Sequence, residues 1–292
     1  MLSSRAKAAV TLALEEDLID AVSIKKTRRL DATSEALVDP QVMATGEIYA
    51  KGSSCVVSGA TVARAVLKAV DSSIKVKILK PDGSFVKPGE TILVFSGKAR
   101  SILAAERTAL NFMQRMSATA TLTKKFVDVV KNRGTMILDT RKTTPGLRVF
   151  EKYAVLCGGG TNHRFGMYDR VLMKDNHRRL WKAGDGTQLD QAVFAARKAF
   201  KRLDVEVEVE SVEECKSALK AKPEWIMLDN MSCADMKKCV KLCKGISKTE
   251  ASGGITLERV KEVAATGVTA ISLGCLTHSA GSVDLTLEWR EV

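Results

Sequence analysis

Apolar residues are spaced in two different rhythms along the chain. In the first hundred residues helical and strand-like patterns are mixed. Residues about 5–19 and Ala60–Val70 carry the helical period, whereas Val42–Lys51, Cys55–Ser58, Ile74–Leu79 and Thr91–Phe95 read as strands. Pro81-Asp82-Gly83 and Pro88-Gly89 mark turns between them. A long helix is predicted over about Ser101–Ala118. Ile102, Ala109, Met113 and Met116 fall on one face of it, with Arg107, Asn111 and Gln114 opposite. Leu103 and Leu110 border that polar face, which predicts a surface that docks.

From about residue 135 the rhythm becomes an alternation. Short β-rich runs recur at Met136–Asp139, Val171–Lys174, Val205–Val209, Trp225–Asp229, Thr249–Ser252 and Ala270–Gly274. Helical stretches separate the later ones: Gln188–Arg202, Val212–Lys220, with Ser211 and Glu214 as a capping box, Ala234–Cys243 and Leu257–Ala265. Strand–helix alternation predicts a parallel sheet with right-handed crossovers. Six strands in so short a stretch suit an incomplete α/β barrel better than a full eight-fold one. An open doubly wound sheet is the alternative, but no G-x-G-x-x-G turn supports it.

Composition narrows the class. The 292 residues are 45% hydrophobic and 27% charged, enough to fill a core and wet a surface, so whole-chain disorder is excluded. The longest uncharged run, Val263 to Val283, holds Gly267, Gly274 and Gly281 among Ser, Thr and His, and it fails as a membrane span. Ala8–Leu14 is followed at once by Glu15, Glu16 and Asp17, which does not fit a signal or transit peptide. Seven cysteines without tight metal spacing read as free thiols, and the cytoplasm is the expected location. With 46 Lys+Arg against 34 Asp+Glu the net charge is +12. That excess fits nucleic acid or a small polyanionic substrate. Aromatics are only 5% and no stacking motif is present, which favours the small substrate.

In a parallel barrel, chemistry collects at the carboxyl ends of the strands. Reading those ends in order gives Thr140-Arg-Lys-Thr-Thr-Pro-Gly-Leu-Arg148, Lys174-Asp-Asn-His177, Glu206 with Glu208 and Glu210, Asp229-Asn230, Ser252-Gly-Gly254 and Gly274. Arg141, Lys142 and Arg148 could be an ordinary solvated loop. Two adjacent cations after a buried strand nevertheless suit carboxylate or phosphate binding. Gly158-Gly-Gly-Thr-Asn-His-Arg164 allows close backbone approach, and His163 and Arg164 add donors. The alternating glutamates share one strand face, so at least one faces the interior, and with Asp229 they could hold Mg²⁺ or sugar hydroxyls. Ser252-Gly253-Gly254 before a helix capped by Thr256 predicts a phosphate cradle. The three histidines form no zinc constellation.

These motifs, in this order, resemble the quinolinate phosphoribosyltransferase family, also called carboxylating nicotinate-nucleotide pyrophosphorylases. The resemblance spans nearly the whole chain. It rests on Glu106-Arg-Thr-Ala-Leu-Asn111, Asp139–Arg148, Glu151-Lys-Tyr-Ala-Val155, Gly158–Arg164, Lys174–His177, Leu228-Asp-Asn-Met231, Glu250-Ala-Ser-Gly-Gly-Ile255 and Leu276-Thr-His-Ser279. Phe150 stands where the family usually has leucine, and Met167-Tyr168 replaces a leucine-led pair.

The resemblance implies an N-terminal α/β sandwich over residues 1–117, joined by the tail 276–292, and a barrel over 118–275. It implies transfer of phosphoribosyl from 5-phosphoribosyl-1-pyrophosphate to quinolinate, giving nicotinate mononucleotide, pyrophosphate and CO₂ in NAD synthesis, with Mg²⁺. By the same resemblance Arg141, His163, Arg164 and Lys174 bind the quinolinate carboxylates. Lys142, Glu208, Asp229, Ser252, Gly253, Gly254 and Gly274 serve the donor and its metal, held by Glu208 and Asp229. Lys142, Lys174, Glu208 and Asp229 are the expected catalytic residues. A homodimer is also implied, with Arg107 reaching the partner's site. No nucleic-acid or membrane partner is expected.

Overall fold

The computed structural model describes residues 2–19, 31–181 and 188–290. Along the chain come α1 (Ser4–Leu18), α2 (Ala32–Leu37), β1 (Met43–Ala50), β2 (Cys55–Val56), α3 (Ala60–Val70), β3 (Lys75–Ile78), β4 (Phe85–Val86) and β5 (Thr91–Lys98). Then follow α4 (Ala99–Val130), β6 (Met136–Leu138), α5 (Arg148–Cys157), β7 (Val171–Met173), α6 (Asp175–Leu180), α7 (Leu189–Ala199) and β8 (Val205–Val209). The last elements are α8 (Val212–Leu219), β9 (Trp225–Asp229), α9 (Cys233–Cys243), β10 (Lys248–Ser252), α10 (Val260–Ala264), β11 (Ala270–Ser272), α11 (Cys275–His278) and β12 (Leu285–Arg290).

The chain divides into two compact units. The first holds residues 1–124, 143–159 and 276–292, and the second holds 125–142 and 160–275. Residues 143–159, grouped with the barrel in the sequence reading, pack with the first unit instead. The cause is α5, whose Phe150 and Ala154 enter the first unit's apolar core. Phe150 stacks on Phe112 with ring centroids 4.9 Å apart, so this residue is a packing element.

In the first unit an antiparallel sheet runs in the order β12-β1-β5-β3. The C-terminal strand pairs with β1 from Thr45↔Arg290 to Ala50↔Leu285, which ties the chain's last elements to its first strand. Helix α3 presents Ala60, Val62, Ala63, Val66 and Leu67 to the core, and α1 adds Ala6, Val10, Leu14 and Leu18 at helical spacing. Ser3 caps α1 by accepting the Ala6 N–H at 3.2 Å.

The predicted helix at Ser101–Ala118 is 32 residues long, Ala99–Val130. No Gly or Pro interrupts it, and the threonine-rich stretch that looks like a stop is satisfied internally. Thr121 and Thr123 hydroxyls donate to the carbonyls of Ser117 and Thr119, at 2.6 and 2.8 Å. Leu110 is buried in the core, so only the half-buried Leu103 remains beside Arg107 on the outer face.

The second unit is a six-stranded parallel sheet in the order β6-β11-β10-β9-β8-β7. Strands β7 to β11 are sequential neighbours and β6 closes onto β11. The ring therefore stays open between β6 and β7, as an incomplete α/β barrel requires. Strands β8, β9 and β11 are buried along almost their whole length, as expected for a sheet covered on both faces.

Candidate active site

The parallel register aligns the chemistry at the carboxyl end of the second unit's sheet. Lys174 lies one residue beyond the Met173↔Val207 pair, which sets it level with Glu208. The two side chains form an ion pair, with Glu208 buried and Lys174 half-exposed. Asp229 is in register with Ser252 on the neighbouring strand. Asn230 donates its Nδ2 to Asp229 Oδ2 at 2.8 Å and its backbone N–H to the Ser252 carbonyl at 3.0 Å.

Gly253 and Gly254 follow in the left-handed region, at φ +95° and +56°. A Cβ on Gly253 would lie 2.6 Å from Asn230 Cγ, so only glycine allows this approach. The expected helix cap at Thr256 is not what forms this turn. Helix α10 starts at Val260, because residues 256–259 form turns first, so the cradle consists of the two left-handed glycines themselves. Gly274 directly follows β11 and precedes α11.

Lys142 is exposed and Arg141 half-buried after β6, with the Lys142 N–H donated to Thr140 Oγ1 at 3.0 Å. Arg164 is half-buried, and its pKa is drawn down by burial and then by the charge of Arg141. Two guanidiniums that feel each other in a partly dry setting make a site for an anion, which relieves their repulsion.

His163 is placed differently from the expectation of a direct substrate ligand. Its ring is buried, Nδ1 accepts the Arg164 N–H at 2.7 Å, and Nε2 faces Glu206 and Glu250 at 3.1 and 3.3 Å. Its backbone N–H goes to Asp139 Oδ1 at 2.9 Å. The glutamate face of β8 divides likewise: Glu206 and Glu208 are buried, while Glu210 lies beyond the strand and is exposed. Burial favours a neutral Glu206, yet hydrogen bonding to His163 and the charge of Arg170 hold its pKa low. Glu250 is pushed up by burial and by the charge of Glu206. Sequence reasoning missed Arg170 and gave Glu250 no role. The signal for Glu250 was there, since it shares strand parity with Ser252.

Within the first unit, Arg107 is exposed on α4 and lines a cavity of about 310 Å³ with Glu16, Asp17, Arg115 and Glu151. Glu151 is buried and accepts both the Thr144 N–H at 3.0 Å and its hydroxyl at 2.7 Å. Arg148 Nε donates to Thr143 Oγ1 at 3.0 Å, so the turn after Lys142 is fastened at two consecutive residues.

A two-unit α/β chain with cations, acids and a glycine cradle gathered at barrel strand ends is a barrel transferase of polyanionic substrates. Comparison with known proteins names the family. Residues 31–117 match the quinolinate phosphoribosyl transferase N-terminal domain and residues 119–288 its C-terminal domain. A probable carboxylating nicotinate-nucleotide pyrophosphorylase of Bacillus subtilis is 40% identical over 258 residues, 88% of this chain and 87% of that protein. A chloroplastic carboxylating nicotinate-nucleotide pyrophosphorylase of Oryza sativa is 41% identical, covering 97% of this chain and 77% of its own. The solved nicotinate-nucleotide pyrophosphorylase of Francisella tularensis superposes with a TM-score of 0.88 at 34% identity, covering 99% of this chain and 98% of its own. The chain belongs to the quinolinate phosphoribosyltransferase family.

Proposed function

We propose that the chain transfers phosphoribosyl from 5-phosphoribosyl-1-pyrophosphate to quinolinate with loss of CO₂, giving nicotinate mononucleotide and pyrophosphate for NAD synthesis. Family membership supports the reaction, and the observation that carries it to this site is the Arg141–Arg164 pair beside the Lys174–Glu208 ion pair. Arg141, Arg164 and Lys174 bind the carboxylates of the acceptor. Ser252, Gly253, Gly254 and Gly274 cradle the donor's phosphates, and Lys142 offsets charge on the leaving pyrophosphate.

As the C1–O bond to pyrophosphate breaks, positive charge grows on the ribose, and Glu208 and Asp229 stabilise it directly or through ribose hydroxyls. The pyridine nitrogen attacks C1. The pyridinium formed then accepts the electron pair released as the adjacent carboxylate leaves as CO₂. Much of the protein's contribution is alignment of two anions that repel each other.

Glu208 and Asp229 offer oxygen donors on adjacent strands, half-open to water and to substrate phosphate, which is the donor set Mg²⁺ prefers. His163, Glu206 and Glu250 also cluster, but they are dry and already face Arg170, which does not suit an ion that keeps its waters. Mg²⁺ held by Glu208 and Asp229 would offset charge on the leaving group.

The homodimer belongs to the same proposal, with Arg107 completing the partner's site: it is exposed, in the first unit, beside the half-buried Leu103. A cytoplasmic location is also proposed, in keeping with seven cysteines that are all thiols. Among the described residues no helix is long and apolar enough to cross a membrane. Quinolinate-dependent release of pyrophosphate tests the proposal. Turnover of nicotinate in place of quinolinate would overturn it.

A further inference from the structure

We infer that Glu250 is a neutral carboxylic acid in the native protein and acts as a positioning residue, holding the His163 ring in one tautomer beneath Arg164. Four ionisable groups meet in the interior of the second unit: Glu206 from β8, Glu250 from β10, His163 and Arg170. Both glutamates are fully buried, and one ligand atom from each of Glu206, Glu250 and His163 lies within 4.8 Å of the others. Arg170 Nη1 reaches Glu206 Oε2 at 3.1 Å, which balances that carboxylate. Ser272, on the adjacent strand β11, faces Glu250. Asp139 is engaged by the His163 backbone.

The ring nitrogens decide what the cluster is. Because Nδ1 accepts the Arg164 N–H, it carries a lone pair, and the neutral ring must carry its hydrogen on Nε2. A metal ion would need the lone pair on Nε2, so this geometry opposes a metal at the cluster.

A proton remains to be placed. With Glu206 matched by Arg170, the His163–Glu250 pair is either neutral acid with neutral ring or carboxylate with imidazolium. The two forms differ by one proton, moved from the carboxyl to Nδ1. The second form sets two hydrogens between atoms only 2.7 Å apart. A third form, carboxylate with neutral ring, leaves an unbalanced buried charge beside Glu206. Only the neutral acid satisfies every contact.

Burial opposes charge on His163, while hydrogen bonds to Glu206 and Glu250 outweigh it and push its pKa up to about 9. That pull and the upward pull on Glu250 compete for the same proton, which belongs to the pair. Once Glu250 holds it, half of the pull on the ring lapses.

Two spectroscopic measurements at neutral pH test the inference without reference to turnover. Infrared spectra should show a protonated-carboxyl stretch in the wild type that Glu250→Gln removes. Nitrogen-15 shifts of His163, resolved from only two other histidines, should report an unprotonated Nδ1. An imidazolium at His163, or no carboxyl band lost on substitution, overturns the assignment. If Glu250→Gln does not fold, the wild-type ring shifts decide alone.

The consequence for catalysis rests on the proposed reaction. Glu250→Ala should raise the quinolinate KM about tenfold, the effect of one lost buried hydrogen bond. Glu250→Gln, neutral and of the same shape, should recover most of it. A glutamine variant no better than alanine would refute the neutral acid. If no quinolinate turnover exists at all, the spectra still stand.

Discussion

Gly253→Ala and Gly254→Ala separate backbone strain from collision at the proposed phosphate cradle. Both glycines are left-handed, so a methyl group at either costs about 1–2 kcal/mol of strain. At Gly254 nothing lies within 4 Å of the added carbon, and strain is the whole effect. At Gly253 the new Cβ lies 2.6 Å from Asn230 Cγ and 2.9 Å from its backbone nitrogen. Asn230 must move, and its bonds to the Ser252 carbonyl and to Asp229 weaken. Each is worth about 1 kcal/mol, which brings the total at Gly253 to roughly 3–4 kcal/mol. At about 2–3 °C per kcal/mol for a chain of this size, Gly254→Ala should lower Tm by roughly 3–4 °C and Gly253→Ala by roughly 7–11 °C. Because Asn230 orients Asp229, kcat/KM should fall much further for Gly253→Ala. Thermal melts and pyrophosphate release measure both. Equal losses for the two variants, in Tm and in rate, would refute the close-approach argument.

Lys174→Ala should lower kcat by about 30- to 1,000-fold with an unchanged circular dichroism spectrum, the range for about 2–4 kcal/mol of lost charge stabilisation; near-normal turnover would remove Lys174 from the site. Glu208→Gln or Asp229→Asn should lower the rate and raise the Mg²⁺ concentration for half-maximal activity, and an unaltered metal response would make these acids structural. After subunit exchange, inactive Arg107→Ala and Lys174→Ala proteins should together regain roughly a quarter of wild-type activity, since half the dimers are mixed and each has one intact site. A dead mixture, with heterodimers demonstrated, would place Arg107 in its own chain's site.

Where one local rule settles the structure, the sequence is easily read. The alternation after residue 135 forces a parallel sheet, and all six predicted strands are present in the order expected of an incomplete barrel. The placement of Lys174, Glu208, Asp229 and Ser252 at strand ends follows from the same alternation. Long-range or competing effects are harder. Pairing of β12 with β1 depends on partners some 240 residues apart, which no periodicity reports. The length of α4 was hidden because threonines lower helix propensity, while their hydroxyls bond back to the preceding turn. The inward turn of His163 depends on Arg170 and Glu250 arriving from separate strands, and residue spacing carries no trace of that meeting.

The central claim is a phosphoribosyl transfer coupled to decarboxylation on a dicarboxylate. It is tested most directly by supplying quinolinate labelled in the carboxyl next to the ring nitrogen, with 5-phosphoribosyl-1-pyrophosphate and Mg²⁺, and counting both products. The account predicts labelled CO₂ and pyrophosphate in equal amounts, with neither formed when either substrate is omitted. Pyrophosphate released without CO₂, or formed equally well with nicotinate as the acceptor, would contradict it.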